Sequence, residues 1–182
     1  GRATAIALRD AGYGVTATGL TDRELANART DAAMAGIDVK KLDVGDGDAV
    51  QRLLAGLTRL DVLVNCAGVG RSGDDFTEEG FMKTLDINLH GTMRCCYAAR
   101  DLLVASGGRI VNIASVMSFF GTGTGPAYAA SKGGVAQLTK SLAIAWGRDG
   151  VRVNAVAPGW IETPMTSGLN SDADYVARVM QR

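Results

Sequence analysis

The sequence carries no excess of charge of either sign. Nineteen Lys and Arg stand against 19 Asp and Glu in 182 residues, so the formal net charge is zero. The basic footprint that drives nucleic-acid binding is absent, as is a polybasic segment for an anionic membrane surface. No apolar run reaches the ~18 residues of a membrane span. Cysteine is scarce: Cys66, Cys95 and Cys96 form no Cys-x-x-Cys pair, and His90 is the only histidine. That excludes a Cys/His zinc site. An odd, unevenly spaced set reads as reduced, mostly buried thiols of a cytoplasmic protein. No signal peptide pattern is present, but the chain begins at Gly1 without a methionine, so the expectation is that an N-terminal segment precedes it.

Glycine is abundant instead. There are 24 glycines and only 3 prolines, about twice the ~7% glycine norm. Glycine without proline points to tight turns and to close approach of backbone to a ligand. Hydrophobic residues at 47% and charged residues at 21% are globular values. The length suits one domain, residues 1–182. It buries roughly 70% of its unfolded surface and needs no disulfide or metal staple.

The punctuation along the chain is regular. Arg2 to Ala11 has helical composition and stops at Gly12-Tyr13-Gly14. Val15 to Thr18 is β-prone. Thr21 and Glu24 form a capping box that opens a helix expected to reach Ala35. Strands are expected over 37–42, 61–65, 109–114 and 151–156. Helices are expected over 46–57, 77–105 (one long or two abutting) and 128–146. From Thr166 to Arg182 a polar loop leads into an unfinished helix. Such alternation of strand and helix specifies βαβ units, hence a parallel sheet with helices on both faces.

In such sheets ligands bind outside the carboxyl ends of the strands. Small and polar residues collect there: Gly19-Leu20, Asp43-Val44, Asn65-Cys66-Ala67-Gly68, Ala114-Ser115 and Ala157-Pro158-Gly159. Small residues admit a flat ligand close to the backbone. Tyr128 and Lys132, spaced i, i+4, share one face of a helix. A nearby ammonium favours the ionised phenol, and a phenol so tuned serves as a general acid/base. Ser115, at a strand end, is placed to hydrogen-bond the same substrate oxygen. His90 lies two positions past Asn88 and faces elsewhere. Adjacent Cys95 and Cys96 point ~100° apart on a helix, which disfavours joint chemistry.

Taken together, LVNCAG (63–68), DINLHG (86–91), GRIVNIAS (108–115), YAASK (128–132) and VRVNAVAPGWIETPM (151–165) resemble the short-chain dehydrogenase/reductase family over nearly the whole chain. The resemblance implies a Rossmann-type, doubly wound α/β fold and an NAD(P)-dependent oxidoreductase. The substrate would be a secondary alcohol or ketone, as for 3-oxoacyl-carrier-protein reductases and sugar or polyol dehydrogenases. By that resemblance Asn88, Ser115, Tyr128 and Lys132 match a catalytic tetrad. Tyr128 would transfer the proton and Ser115 would polarise the substrate oxygen. Lys132 would hold the nicotinamide ribose, and Asn88 would loosen the helix ladder and seat a water linking Lys132 to solvent. Asp43 and Val44 would meet the adenine. Asn65, Ala67 and Gly68 would line the adenosine ribose, Asn65 alternatively being structural. Pro158, Gly159, Ile161 and Thr163 would hold the carboxamide end. Trp160 would either shape the substrate pocket or pack the lid that begins over 160–182. A homodimer or homotetramer is implied, with no nucleic-acid or membrane partner. A non-catalytic dinucleotide-binding regulator of the same fold, or an inactive fragment of the enzyme, is the rival reading.

The sequence departs from the family pattern in three places. The glycine-rich turn that cradles pyrophosphate is reduced to Gly1, its last glycine, and the strand before it is not in the sequence. The chain stops before the family's final helix and strand. Cys66 replaces a second asparagine. In the order 3-2-1-4-5-6 the first strand lies in the middle, so the strands ending near Thr18 and at Asn65 are expected not to pair. No acid stands at Gly19-Leu20 to bind a ribose 2′-hydroxyl, which leans the cofactor reading towards NADP(H). Arg23 reads either as a 2′-phosphate ligand or as a solvated helix residue.

Overall fold

The computed structural model describes residues 1–70, 74–163 and 166. Strands and helices alternate along them as α1 (Arg2–Asp10), β1 (Thr16–Gly19), α2 (Asp22–Thr30), β2 (Asp38–Lys41), α3 (Gly47–Ala55), β3 (Val62–Asn65), α4 (Glu78–Leu85), α5 (Gly91–Ser106), β4 (Arg109–Ile113), α6 (Pro126–Trp146) and β5 (Arg152–Val156). Side-chain caps set several helix starts. Thr21 and Glu24 form the expected capping box, and Asp46 and Thr77 accept from Ala49 and Gly80 backbone N–H groups. Pro126 opens α6 at its first turn, where no donor is lost.

All pairing is parallel: β1 with β2, β3 with β4, and β4 with β5. The register sets Asn65 beside Asn112 and Asn112 beside Ala155. Among the described residues β1 and β3 share no ladder, and the strands form two sheets, β1-β2 and β3-β4-β5. The gap falls where the expected order puts the first strand. The two halves meet through the segment after β2. There Val44 lies against Gly91, and its carbonyl accepts from Arg94 Nη1 at 3.3 Å.

α5 supplies the centre of the core. Cys96, Ala99 and Leu103 are fully buried on it, against Val50 of α3, Ile110 of β4 and Leu142 of α6. Full burial of each Leu, Ile or Val among them contributes ~1.5–3 kcal/mol. The turn from α5 to β4 is too tight for side chains. Gly107 has φ +61°, and a Cβ on Gly108 would lie 2.7 Å from Leu103 Cδ2 and 2.9 Å from the Asp61 carbonyl.

Three expected boundaries change. The helix opened by Thr21 ends at Thr30, because Asp31 turns extended and caps a 3-10 turn, Ala32–Met34. The stretch expected as one helix or two over 77–105 is α4 and α5 joined by a π turn, Asp86–His90. α6 begins two residues before Tyr128. The loop and helix expected after Thr166 lie outside the described residues.

Candidate active site

The carboxyl ends of β3, β4 and β5 form one edge of the sheet, and the loops leaving them are tied together. The Ala114 N–H donates to the Val156 carbonyl at 2.8 Å, and the Val116 N–H to the Pro158 carbonyl at 3.0 Å. Pro158-Gly159 is thereby fixed beside the turn that carries Ser115. Ser115 is buried, and its Oγ accepts from the Met117 N–H at 3.2 Å, capping a 3-10 turn, Val116–Ser118. The Ser118 hydroxyl accepts from the Ser115 N–H and donates to the Lys132 carbonyl at 2.7 Å. The serine turn and α6 are thus locked in register.

Tyr128 and Lys132 sit one helical turn apart on α6, with the Lys132 Nζ 5.8 Å from the Tyr128 ring centroid. Lys132 is buried and donates to the Ile113 carbonyl at 2.6 Å. Burial penalises its charged form and pushes the ammonium from 10.5 down to about 8.

Asn88 is fully buried in the π turn. Its Nδ2 donates to the Val69 carbonyl and to Ser131 Oγ, both at 3.0 Å, and its Oδ1 accepts from the Val69 N–H at 2.8 Å. Ser131 Oγ in turn donates to the Tyr128 carbonyl at 2.7 Å. The π turn is the loosened ladder expected at Asn88. Gly68 faces this cluster, and a Cβ there would lie 3.2 Å from Asn88 Oδ1 and 3.7 Å from Lys132 Nζ. The four sequence-predicted residues therefore come from three places: Ser115 from the end of β4, Tyr128 and Lys132 from α6, and Asn88 from the π turn, which bonds to α6 through Ser131.

The other predicted positions lie at the start of α1 and just after β2, β3 and β5. Gly1 starts α1 beside β3, where a Cβ on it would lie 3.9 Å from Cys66 Cβ. No side chain caps α1, and no acid lies in its first turn. Its free N–H groups and dipole suit an anion. Asp43 closes its own loop, accepting from the Gly45 N–H at 2.8 Å, and Val44 rests on α5. Trp160 and Ile161 are exposed past Pro158-Gly159, and Thr163 donates its N–H to Thr166 Oγ1 at 2.9 Å. Ala67 is exposed on the same loop as Gly68. Most of the stretch expected to form a lid lies outside the described residues.

Asn65 points inward. Its Nδ2 donates to Asn112 Oδ1 at 2.8 Å and to Cys96 Sγ at 3.3 Å, and Asn112 Nδ2 donates to Thr139 Oγ1 at 2.9 Å. This buried relay ties β3 to β4 and β4 to α6. Burial pushes the Cys95 and Cys96 thiols up to about 11 and about 12, leaving both inert. His90 meets Asp86 at 3.4 Å, away from the cluster. Sequence reasoning missed Asn112, Thr139, Ser118, Ser131 and Asp75. Asn112 is the one signalled by pattern, a lone amide inside an apolar strand.

The family described as Enoyl-(Acyl carrier protein) reductase matches residues 1–182. A 2-dehydro-3-deoxy-D-gluconate 5-dehydrogenase of Bacillus subtilis (strain 168) is 38% identical over 147 residues, covering 78% of this chain and 58% of its own length. The cis-4-hydroxycyclohexanecarboxylate dehydrogenase of Sinomonas cyclohexanicum is 35% identical over 182 residues, covering 94% and 73%. The chain thus spans 58% to 73% of the length of these two relatives. Among solved structures, a gluconate 5-dehydrogenase from Burkholderia cenocepacia J2315, in complex with NADP and tartrate, superposes with a TM-score of 0.85 at 30% identity. That match covers 96% of this chain and 73% of the other. The matched fold is the Rossmann-type doubly wound α/β fold.

Proposed function

The chain belongs to the short-chain dehydrogenase/reductase family, and from that premise we propose that it is the core of an NAD(P)-dependent oxidoreductase acting on a secondary alcohol or ketone. The observation that carries the reading is the convergence of Tyr128, Lys132, Ser115 and Asn88 at the carboxyl edge of the sheet. The same edge fits a dinucleotide. The first turn of α1 offers uncapped donors to a pyrophosphate, Gly68 keeps the approach open, and the buried Lys132 ammonium has one protein acceptor and donors to spare for ribose hydroxyls. The bound nicotinamide supplies the hydride acceptor or donor.

The residues of the chain do the rest. Tyr128 passes a proton to or from the substrate oxygen. Lys132, beside the Tyr128 ring, stabilises negative charge developing on the phenol oxygen. Ser115 Oγ holds and polarises the substrate oxygen. Asn88 fixes the loop at Val69 and braces Tyr128 through Ser131, and the loosened ladder around it seats the water that links Lys132 to solvent. Asp43 and Val44 meet the adenine, while Asn65 acts through the strands rather than on the ribose. Ala67 and Gly68 line the adenosine ribose, and Pro158, Gly159, Ile161 and Thr163 hold the carboxamide end. Trp160 borders the substrate pocket.

Substrates of the sugar and polyol class are supported by the names of some of the matched dehydrogenases, and the cofactor lean is to NADP(H). Three free thiols, two of them buried, support a cytoplasmic setting. Exposed Tyr97 on α5 and Ile144 on α6 support a homodimer or homotetramer. Among the described residues no helix is long and apolar enough to cross a membrane.

Tyr128→Phe tests the assignment in the full-length protein with a panel of ketones. The expected outcome is a ~10²–10⁴-fold loss of kcat with cofactor binding retained. Activity within about tenfold of wild type would remove Tyr128 from the mechanism.

A further inference from the structure

Asp75 is almost completely buried, at 1% exposure, outside every motif that points to the proposed reaction. It lies in a one-turn 3-10 segment, Asp74–Phe76, between α4 and α6. One carboxylate oxygen accepts from the Tyr128 backbone N–H at 3.0 Å, and the other accepts from Thr84 Oγ1 at 3.2 Å. Thr84 is itself fully buried on α4.

The contact falls on the third residue of α6. N–H groups in the first turn of a helix have no intrahelical partner, so one acceptor there decides whether the turn holds or frays. The residues usual at that job sit just before the helix. Here the preceding residue is Gly125, which has no side chain to give, and α6 has no cap of its own. An acid from 53 residues upstream fills the place. Negative charge at a helix N-terminus is also favoured by the helix dipole.

The acid is held firmly. A Cβ on Gly80 would overlap the Asp74 backbone carbonyl, so the Asp75 segment seats directly on α4 because position 80 is glycine. The Thr77 N–H returns to the Asp74 carbonyl at 2.9 Å and closes the turn. Tyr128 is then gripped at both ends of its backbone: its N–H by Asp75, its carbonyl by the Ser131 hydroxyl that Asn88 orients.

We infer that Asp75 is a positioning residue for Tyr128: it pins the first turn of α6 to α4 and so sets where the Tyr128 phenol stands. The inference rests on Tyr128 being the acid/base. It assigns Asp75 no contact with substrate or cofactor.

The test uses the full-length protein in four forms: wild type, Asp75→Ala, Tyr128→Phe and the double variant. Asp75→Ala should lower kcat by ~10–10²-fold while the cofactor Kd stays within about twofold, because a shift of ~1 Å in a reacting group costs up to that much. Asp75→Asn keeps a carbonyl oxygen for the Tyr128 N–H and should recover most of the loss. In the Tyr128→Phe background, adding Asp75→Ala should cost less than about twofold, since residues that act as a unit are non-additive. A kcat within about threefold of wild type in Asp75→Ala, or an equal loss in both backgrounds, overturns the inference. If Asp75→Ala does not fold, Thr84→Val, which frees one carboxylate oxygen, goes through the same cycle and is judged by the same two outcomes. If Tyr128→Phe itself keeps its activity, the reading of the site fails instead, and the two failures are separate.

Discussion

Lys132→Met should make the cofactor-free protein more stable at neutral pH while destroying its activity. Lys132 is 5% exposed, and burial brings its ammonium from 10.5 to about 8. At ~1.36 kcal/mol per pK unit, holding the charge in that place costs about 3 kcal/mol. Methionine fills a similar volume without the charge. Against the gain stands the Ile113 carbonyl, which loses its 2.6 Å donor, a cost of ~1–2 kcal/mol for a buried acceptor. The net expectation is ~1–2 kcal/mol in favour of the variant, a rise in Tm of roughly 5 °C for a chain of this size.

The pH dependence identifies the cause. Below pH 8 Lys132 is protonated in both the folded and unfolded states, so wild type carries the full penalty. Between pH 8 and 10.5 the unfolded state binds the extra proton, and wild-type stability rises with pH relative to the variant. Above 10.5 the difference of charge origin is gone. All other titrating groups are common to both proteins and cancel in the difference. Thermal melts of the two proteins without cofactor at pH 7, 8, 9 and 10 measure it. A variant less stable than wild type at pH 7, or a difference that does not shrink by pH 10, refutes the reasoning.

Three further outcomes are expected. The full-length enzyme should use NADPH at least as well as NADH: the Glu24 carboxylate is turned back onto the Leu20 and Thr21 N–H groups at 2.8 and 2.9 Å, and the neighbouring Arg23 supplies a positive charge for a 2′-phosphate. A preference for NADH of about a hundredfold in kcat/KM would instead make Glu24 the ribose ligand. Asn112→Ala should cost ~2–4 kcal/mol in urea denaturation, because Asn65 and Thr139 lose their shared partner and a cavity opens; a loss under about 1 kcal/mol removes the relay from the account. Gly91→Ala would place a Cβ 2.7 Å from Val44 Cγ2 and should cost ~1–3 kcal/mol, largely restored by adding Val44→Ala. If the second change restores nothing, the contact between α5 and the Asp43-Val44 segment is misassigned.

The sequence made the alternation legible because each element carries its own local signal. The Thr21/Glu24 capping box lies within four residues, and the apolar runs of β3 and β4 need no tertiary information. Tyr128 and Lys132 were readable for the same reason, since i, i+4 spacing fixes one face. What stayed hidden depends on elements distant in sequence. The end of α2 at Thr30 is set by Asp31 pairing with Arg2, 29 residues away, and by its cap on the next turn. Asn65 pointed two ways in the sequence, and only the strand register, which puts it beside Asn112, turns it inward. Asp75 stands in no motif of the sequence. Its pairing with a backbone amide 53 positions on carries no local mark.

The site departs from what stability alone would choose. Among the described residues a buried lysine donates to one carbonyl, a π turn interrupts a continuous helix, and α1 begins without a side-chain cap. Each departure costs stability locally, and each stands at the sheet edge proposed to hold the dinucleotide. The surroundings then over-determine the geometry. Asn88 spends its whole amide on Val69 and Ser131, Ser118 locks the Ser115 turn to Lys132, and Asp75 fixes the turn that carries Tyr128. Rigid neighbours make such local costs tolerable, because a side chain held from several directions cannot relax into a cheaper arrangement. A polar group with no role in orientation would gain nothing from that many fixed partners. The density of bonds around Tyr128, more than any single one of them, marks the place where position matters.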